Sequence, residues 1–240
     1  MGDGTGDHRA PPARPWSGGG REELARAVRR LIAATVTSTA PPGLLVDAAR
    51  RAAALADELE HHVPEEGPEP VARFADRSVQ PDEVDTLATA MPFDVVIGSC
   101  NPVALPISVE FDPPKAIGRA VFTAPYEGAP GVVHGAVLAG AFDIILTAAN
   151  VVANGAGPTV SLAIRYLKPT LLDQEAVFEG WVTELDDRRT HSRGRLIQGG
   201  VVTVEAVGEF VNMERSRIAA MHRRDAPPDG GDAGDRVARG

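Results

Sequence analysis

The sequence predicts an α+β fold in which a curved antiparallel sheet wraps around one central helix. The first observation is an apolar run at residues 135–153 that contains a single charged side chain. The second is that segments with alternating apolar and polar residues lie before and after this run. A helix that is apolar on all sides must be covered on nearly every side. A sheet folded around the helix provides that cover.

The N-terminal region is predicted to be a helical extension attached to the main domain. Residues 1–20 are rich in Gly, Asp and Pro and are expected to form a disordered tail. Apolar residues recur at helical spacing over 21–38, and an Ala- and Leu-rich helix is expected over about 44–61. The Pro- and Glu-rich stretch 64–70 is expected to be a linker, so the extension covers residues 21–70.

The main domain is predicted to span residues 71–222. Its first part, 71–105, has no assignable pattern, and the breaker residues of 154–158 end the central helix. Strands are expected at 107–111, 116–123, 159–167, 175–185, 190–198 and 200–212. Gly199-Gly200 is a candidate hairpin turn between the last two strands. Residues 223–240 are expected to be a second disordered tail.

Composition excludes several classes of function. The chain has 240 residues, a formal net charge of −9 and 43% hydrophobic residues, which argues for a real core and against nucleic-acid binding. Cys100 is the only cysteine, so no internal disulfide forms, and no secretory signal is recognisable. A cytoplasmic location is expected on these grounds. With one cysteine and no His-x-x-x-His pattern, neither a metal site nor a cofactor is predicted.

The apolar run is nearly long enough to span a bilayer. It nevertheless contains Asp143, Asn150 and Thr147, and it lacks flanking basic clusters and aromatic belts. We therefore predict a buried helix and no membrane insertion.

Asp143 is the only charged residue in the run. Burial of an ionised carboxylate among apolar side chains is unfavourable unless partners compensate. Its pKa is therefore expected to rise, or specific donors are expected to hold it. Carboxylates kept under such conditions are concentrated at functional sites, so Asp143 is the main catalytic candidate. A structural carboxylate in a subunit interface is the competing interpretation.

Two segments resemble the PaaI-type hotdog-fold thioesterases. The segment Gly131-Val132-Val133-His134-Gly135-Ala136, with Asp143 nine positions after the histidine, is similar to the family's His-Gly-Gly turn and following acid. The segment Arg165-Tyr166-Leu167-Lys168-Pro169 is similar to the family's Tyr-x-x-Pro strand end. The resemblance covers about 95–213 and implies a hotdog fold.

The resemblance also implies an activity, which is hydrolysis of acyl-CoA thioesters in a site formed across a dimer. Asp143 would act as general base or nucleophile, and the Gly135 N–H would polarise the thioester carbonyl. His134 would orient the carbonyl or its neighbouring loop. Thr159 would position the attacking water, although it is also an ordinary strand residue. The assembly implied is a homodimer or a dimer of dimers.

The acyl-CoA substrate implied by the resemblance needs a pocket and basic groups. Phe142 and Leu146 are expected to contribute to the acyl pocket. Arg188, Arg189 and Arg193 are expected to meet the coenzyme phosphates, although such a cluster is more often a solvated hairpin.

Four positions depart from the family pattern. Ala136 replaces the second glycine, Ile144 stands where relatives often have Glu, Ser99 stands where they often have Arg, and Gly128 stands near the place of an Asn. These departures leave open a non-catalytic protein that binds acyl-CoA or lipid. A hydratase is disfavoured, because those enzymes pair an Asp with a later His, whereas His134 precedes Asp143.

Overall fold

The computed structural model describes residues 19–63, 87–88, 91–155 and 157–212. Its elements, in chain order, are α1 (Arg21–Thr37), α2 (Pro42–Glu60), β1 (Ile107–Asp112), β2 (Lys115–Val121), a 3-10 turn (Ala124–Tyr126), α3 (Gly135–Val152), β3 (Thr159–Tyr166), β4 (Glu175–Leu185), β5 (Arg189–Gln198) and β6 (Val201–Val211). These bounds agree with the predicted helices and strands to within a few residues. The linker at 64–70, the tail at 223–240 and most of 1–20 lie outside the described residues.

The strands form one six-stranded antiparallel sheet in the order β1-β2-β4-β5-β6-β3. Strands β1 and β3 are therefore its two edges. Helix α3 connects β2 to β3 and lies against the sheet, so the architecture is the predicted α+β arrangement. Within the described residues, β3 pairs only with β6, and six of its eight residues are exposed.

Helix α3 begins and ends where the sequence supplies local signals. The side chain of His134, the N-cap residue, accepts a hydrogen bond from the Ala136 N–H. At the other end, Asn154 has a φ of 60°, a left-handed conformation that Asn tolerates and that stops the helix. By length and composition α3 could cross a membrane. In this fold it is the core helix, and most of its residues are buried against the sheet.

Glycines in the sheet allow α3 to approach the strands closely. A β-carbon on Gly180 would lie 2.9 Å from Ile145 Cγ2, and one on Gly194 would lie 3.1 Å from Phe142 Cε1. The same absence of a side chain at Gly208 leaves room for Leu146. Phe142 also packs edge-on against Phe178 with ring centroids 5.2 Å apart. Complete burial of each of these large side chains stabilises the fold by about 1.5–3 kcal/mol.

Within a single chain, one side of α3 is less completely covered than the side that faces the sheet. Five residues on one side of the helix are not fully buried: Ala136, Ala139, Gly140, Asp143 and Thr147. They recur at intervals of three or four, so they form a stripe along the helix. We call this set the open stripe of α3. The sheet covers the opposite side, because a single layer of strands contacts only one face of a helix.

Helix α1 is attached to the domain through polar contacts. The Arg29 guanidinium donates to the carbonyls of Gly98, Ser99 and Asn101 at 3.1, 2.9 and 2.7 Å. The Ser99 hydroxyl donates to the Glu22 carboxylate at 2.9 Å. Helix α2, in contrast, has no buried residue.

Candidate active site

The start of α3 presents one backbone N–H with no acceptor among the described residues, that of Gly135. The Ala136 N–H donates to His134 Nδ1 at 3.0 Å, and the Val137 N–H donates to the His134 carbonyl at 3.0 Å. Because Nδ1 of His134 accepts, a neutral ring carries its proton on Nε2. The helix start therefore offers the Gly135 N–H and the helix dipole to an oxygen that gains negative charge.

Tyr166 fixes this first turn from the end of β3. Its hydroxyl donates to the Gly135 carbonyl at 2.7 Å. A β-carbon on residue 135 would lie 3.0 Å from the Tyr166 hydroxyl oxygen and 3.1 Å from Cζ. Close packing against Tyr166 therefore favours glycine at position 135. The contact also joins the two family-like segments, because Tyr166 belongs to the Tyr-x-x-Pro motif and Gly135 belongs to the His-Gly turn.

The loop before the helix explains one departure from the family pattern. A β-carbon on Gly128 would lie 2.9 Å from His134 Cα and 3.2 Å from its Cβ. The loop is closed by the Gly128 N–H, which donates to the Val132 carbonyl at 2.9 Å. The Glu127 carboxylate also accepts from the Gly131 N–H at 2.6 Å. His134 therefore occupies the space that a side chain at 128 would need, and an Asn does not fit without a shift of the loop.

Asp143 lies on the open stripe of α3 and is half-buried. The Thr159 hydroxyl donates to Asp143 Oδ1 at 2.7 Å. The sequence suggested either a raised pKa or specific donors, and Thr159 is such a donor. A register shift between Thr159 and Ser161 marks a bulge in β3 immediately beside this contact.

Asp143 and Gly135 are too far apart to act together within one chain. They are eight positions apart in the sequence. At 1.5 Å per residue, this corresponds to about 12 Å along the helix axis. A thioester carbonyl bound to the Gly135 N–H therefore lies beyond the reach of the Asp143 carboxylate of the same helix.

A cleft of about 730 Å³ opens beside the start of α3. His134, Gly135, Leu138, Tyr166 and Lys168 are among its lining residues. It is mostly apolar, with the Lys168 amine and the Glu127 carboxylate as charged groups. Lys168 is not among the site residues predicted from the sequence, although its position in the Tyr-x-x-Pro motif was a usable signal.

The other predicted substrate residues lie elsewhere in the chain. Phe142 and Leu146 are fully buried on the sheet side of α3 and do not line this cleft. Arg188 lies in the β4–β5 turn and Arg189 is the first residue of β5, and both backbone N–H groups donate to Asp186 Oδ1 at 2.7 Å. These two hydrogen bonds hold the pKa of Asp186 below its ordinary value.

The β4–β5 turn lies near the C-terminal end of α3, since Thr190 Oγ1 is adjacent to Gly155. The Arg189 side chain pairs with Glu209 at 3.2 Å, and Arg193 is exposed on strand β5. Arg188 and Arg189 are thus at the opposite end of the helix from Gly135, whereas Arg193 follows further along β5, next to Gly194, which lies against the middle of the helix. Among the described residues, no group of three His, Cys, Asp or Glu side chains could hold a metal ion.

Residues 130–205 match the family model described as Thioesterase superfamily. This segment runs from just before α3 into β6. The match and the arrangement of α3 within the sheet confirm the predicted hotdog fold and support the family-level resemblance: this segment, less than half of the chain, is similar to thioesterase-superfamily domains. That similarity suggests a thioester hydrolase in general terms.

Similar chains are found among solved structures. Protein RHA08564, a thioesterase superfamily protein, is 27% identical with a TM-score of 0.68, and the match covers 85% of this chain and 94% of that one. PaaI from Escherichia coli is 15% identical, with 46% and 81% covered and a TM-score of 0.43. The smu.793 protein from Streptococcus mutans UA159, solved with acetyl CoA, is 17% identical, with 46% and 90% covered and a TM-score of 0.43. No curated protein matched the chain.

Proposed function

We propose that this protein hydrolyses acyl-CoA thioesters to a free acid and CoA, in a site that two subunits build together. The observation that carries the proposal is the pair of groups on α3. One is the Gly135 N–H without an acceptor, and the other is the half-buried Asp143 carboxylate held by Thr159. The two groups suit carbonyl polarisation and water activation, and they lie too far apart to do both in one chain.

The open stripe of α3 supports the two-subunit site. In two antiparallel α3 helices that cross near Ala139 and Gly140, Gly135 of one subunit lies level with Asp143 of the other, because these positions are four residues on either side of Ala139. Small residues at the crossing allow the helices to approach closely. The unpaired edge of β3 lies beside this stripe and is free to pair with a second β3.

In the proposed reaction, the thioester carbonyl oxygen accepts a hydrogen bond from the Gly135 N–H of one subunit. The Asp143 carboxylate of the other subunit takes a proton from water, and the hydroxide adds to the carbonyl carbon. The C–S bond then breaks, and the CoA thiolate takes the proton from Asp143. Because Thr159 donates to Oδ1, the Oδ2 atom is available to the water.

A nucleophilic route is the alternative for the same two groups. The Asp143 carboxylate would attack the carbonyl carbon, expel the CoA thiolate and form a mixed anhydride, which water then hydrolyses. Incorporation of ¹⁸O from labelled water into Asp143 during a single turnover distinguishes the two routes. His134, with its proton on Nε2, serves in either route as a donor that orients the carbonyl or the loop.

The coenzyme phosphates are proposed to meet arginines of the second subunit. In an antiparallel pair, the C-terminal end of one α3 lies beside the N-terminal end of the other. Arg188 and Arg189 of one subunit would thus approach the cleft of its neighbour, where Lys168 adds a further cation. We place the reaction in the cytoplasm, in keeping with a chain that has one cysteine.

Purified protein, a panel of acyl-CoA substrates and a thiol reagent test the proposal. We expect thiol release from at least one chain length, and a loss of at least ~10²-fold in Asp143→Asn. The matched control is Asp112→Asn, an exposed carboxylate at the end of β1. Absence of turnover above the Asp143→Asn level with every substrate rejects catalysis. A stable monomer with full activity rejects the shared site.

The alternative function is binding of acyl-CoA or lipid without turnover. The reason to consider it is that Ala136 and Ile144 depart from the family pattern. The structure places Ile144 in the core at 5% exposure, away from the open stripe, and the N–H of Ala136 bonds to His134. Neither residue therefore removes the Gly135 donor or the Asp143 acceptor. Calorimetry with a non-hydrolysable acyl-CoA analogue addresses this alternative: tight binding in a protein that shows no turnover supports it.

A further inference from the structure

Helix α2 has an apolar side that nothing in the described structure covers. None of its 19 residues is buried. Its larger apolar side chains are about half exposed, with Leu45, Leu55 and Leu59 at 45%, 48% and 43%. Together with Ala48 and Ala52 these residues repeat at three- and four-residue intervals, so they lie on one side of the helix. In proteins, most of the stability of a helix comes from the packing of its apolar side.

Helix α1 has a second uncovered apolar side. Ala25 and Arg29 hold one side of α1 against the domain. The side turned away from the domain carries Leu24 and Leu31, which are 37% and 48% exposed. Ala27 lies between them on this outer side.

The connection between the two helices keeps them from covering each other. Ser38 and Pro41, which flank it, have extended backbones with ψ values of 136° and 149°. Because no residue of α2 is buried, it does not pack on α1 of its own chain. A short extended connection between two elements that do not pack together is the arrangement from which reciprocal exchange between two copies arises.

The charges of the two helices are complementary. Helix α1 contains four Arg and two Glu, a net charge of +2, and Arg26 and Arg30 are exposed beside its outer apolar side. Helix α2 contains two Arg and four acidic residues, a net charge of −2, with the acidic residues concentrated in its C-terminal half. An acidic amphipathic helix is poorly suited to an anionic membrane surface. It suits a basic helix with an apolar side, which α1 is.

We propose that the apolar side of α2 docks on the outer side of α1 of a second copy of this chain, and that the second copy returns the same contact. The two contacts are equivalent by a two-fold axis, so the exchange closes at a dimer. This inference does not depend on thioester hydrolysis. It assigns to the N-terminal helices a role in assembly.

Directed cross-linking tests the exchange on the full-length chain. In a Cys100→Ala background, a tagged chain carrying Leu31→Cys is mixed with an untagged chain carrying Leu55→Cys and oxidised. We expect an intermolecular 31–55 disulfide, identified by peptide mass. The matched control is Ala54→Cys, which is exposed on the opposite side of α2. We expect its link to residue 31 to form at least ten times less.

Two results would overturn the exchange. The first is a 31–55 link found only within one chain when both cysteines are placed together. The second is no link between chains although the protein is a dimer. Because the linked peptides identify the contact, a dimer formed through β3 alone is distinguished from one that also exchanges α2. Failure of the exchange thus leaves the proposed site on α3 standing.

Charge reversal provides a second measurement with Cys100 intact. One variant carries Arg26→Glu and Arg30→Glu, and the other carries Asp47→Arg and Glu58→Arg, which lie on the same flank of the apolar side of α2. We expect each to self-associate more weakly than the wild type in sedimentation velocity. A mixture of the two variants should associate again. In the mixture, the reversed α1 of one variant can meet the reversed α2 of the other, and their charges are then opposite. Lack of recovery on mixing contradicts the proposal.

Discussion

Tyr166 lies directly over Gly135, and its hydroxyl donates a 2.7 Å hydrogen bond to the Gly135 carbonyl. The two residues are 31 positions apart and belong to an edge strand and to the first turn of the central helix. The contact joins the end of β3 to the proposed carbonyl-binding turn. Movements of the edge strand are therefore transmitted to the Gly135 N–H.

Tyr166→Phe removes this hydrogen bond and keeps the ring. We expect the free energy of unfolding to fall by about 0.5–1.5 kcal/mol, the usual net contribution of one hydrogen bond. We also expect kcat to fall with little change in KM, because the turn that holds the Gly135 N–H loosens. Urea unfolding and steady-state kinetics check the two parts. Unchanged kcat in a destabilised variant would show that the contact is structural alone.

Gly128→Ala tests whether His134 excludes side chains from the preceding loop. The new methyl group would lie 2.9 Å from His134 Cα, so the loop or the helix start must shift. We expect a lower melting temperature and at least a tenfold loss of activity. Gly131→Asn is a useful contrast, because residue 131 has a φ of 74° and open space around it, and Asn tolerates this conformation. Equal losses in both variants would contradict the steric explanation.

Thr159→Val keeps the shape of the side chain and removes the hydroxyl that donates to Asp143. We expect a rate loss of about tenfold or more, since one charge-assisted hydrogen bond is worth about 1.5–3 kcal/mol. Thr159→Ser, which retains the hydroxyl, should keep most of the activity. The split between kcat and KM separates a positioning role from a purely structural one. We expect kcat to fall in the Val variant while KM and the free energy of unfolding change little.

Glu179, on the outer face of the sheet, is expected to contribute to stability, and this contribution should be lost in acid. Burial raises its pKa, but hydrogen bonds from Arg195 at 2.8 Å and Lys115 at 3.2 Å outweigh burial and hold the pKa below its ordinary value of 4.5. Because the pKa of Glu179 is lower in the folded state than in the unfolded state, the stabilisation is present at pH values above the pKa of the unfolded state. It disappears as the pH falls through the pKa of the folded state. The difference in unfolding free energy between wild type and Glu179→Gln should therefore be largest near neutral pH and shrink below pH 4.5. A pH-independent difference would contradict this.

The sequence by itself determined the succession of elements. Apolar alternation and turn residues located the strands, and Asn154 with the following glycines located the end of α3, because these signals depend on neighbours along the chain. Asp143 stood out for the same kind of reason, as one charge in a local apolar run. Its family motif also directed attention to His134 and Gly135 before any geometry was known.

Tertiary structure decided what those residues touch. That Tyr166 lies on Gly135, that His134 fills the space beside Gly128 and that Thr159 donates to Asp143 depend on the positions of β3 and the loop before α3, which no local pattern encodes. The same holds for the open stripe: composition marks α3 as apolar, but only packing shows which side a single sheet leaves uncovered. Contacts between residues distant in the chain arise from the burial of α3 on its sheet, and burial is a property of the whole fold.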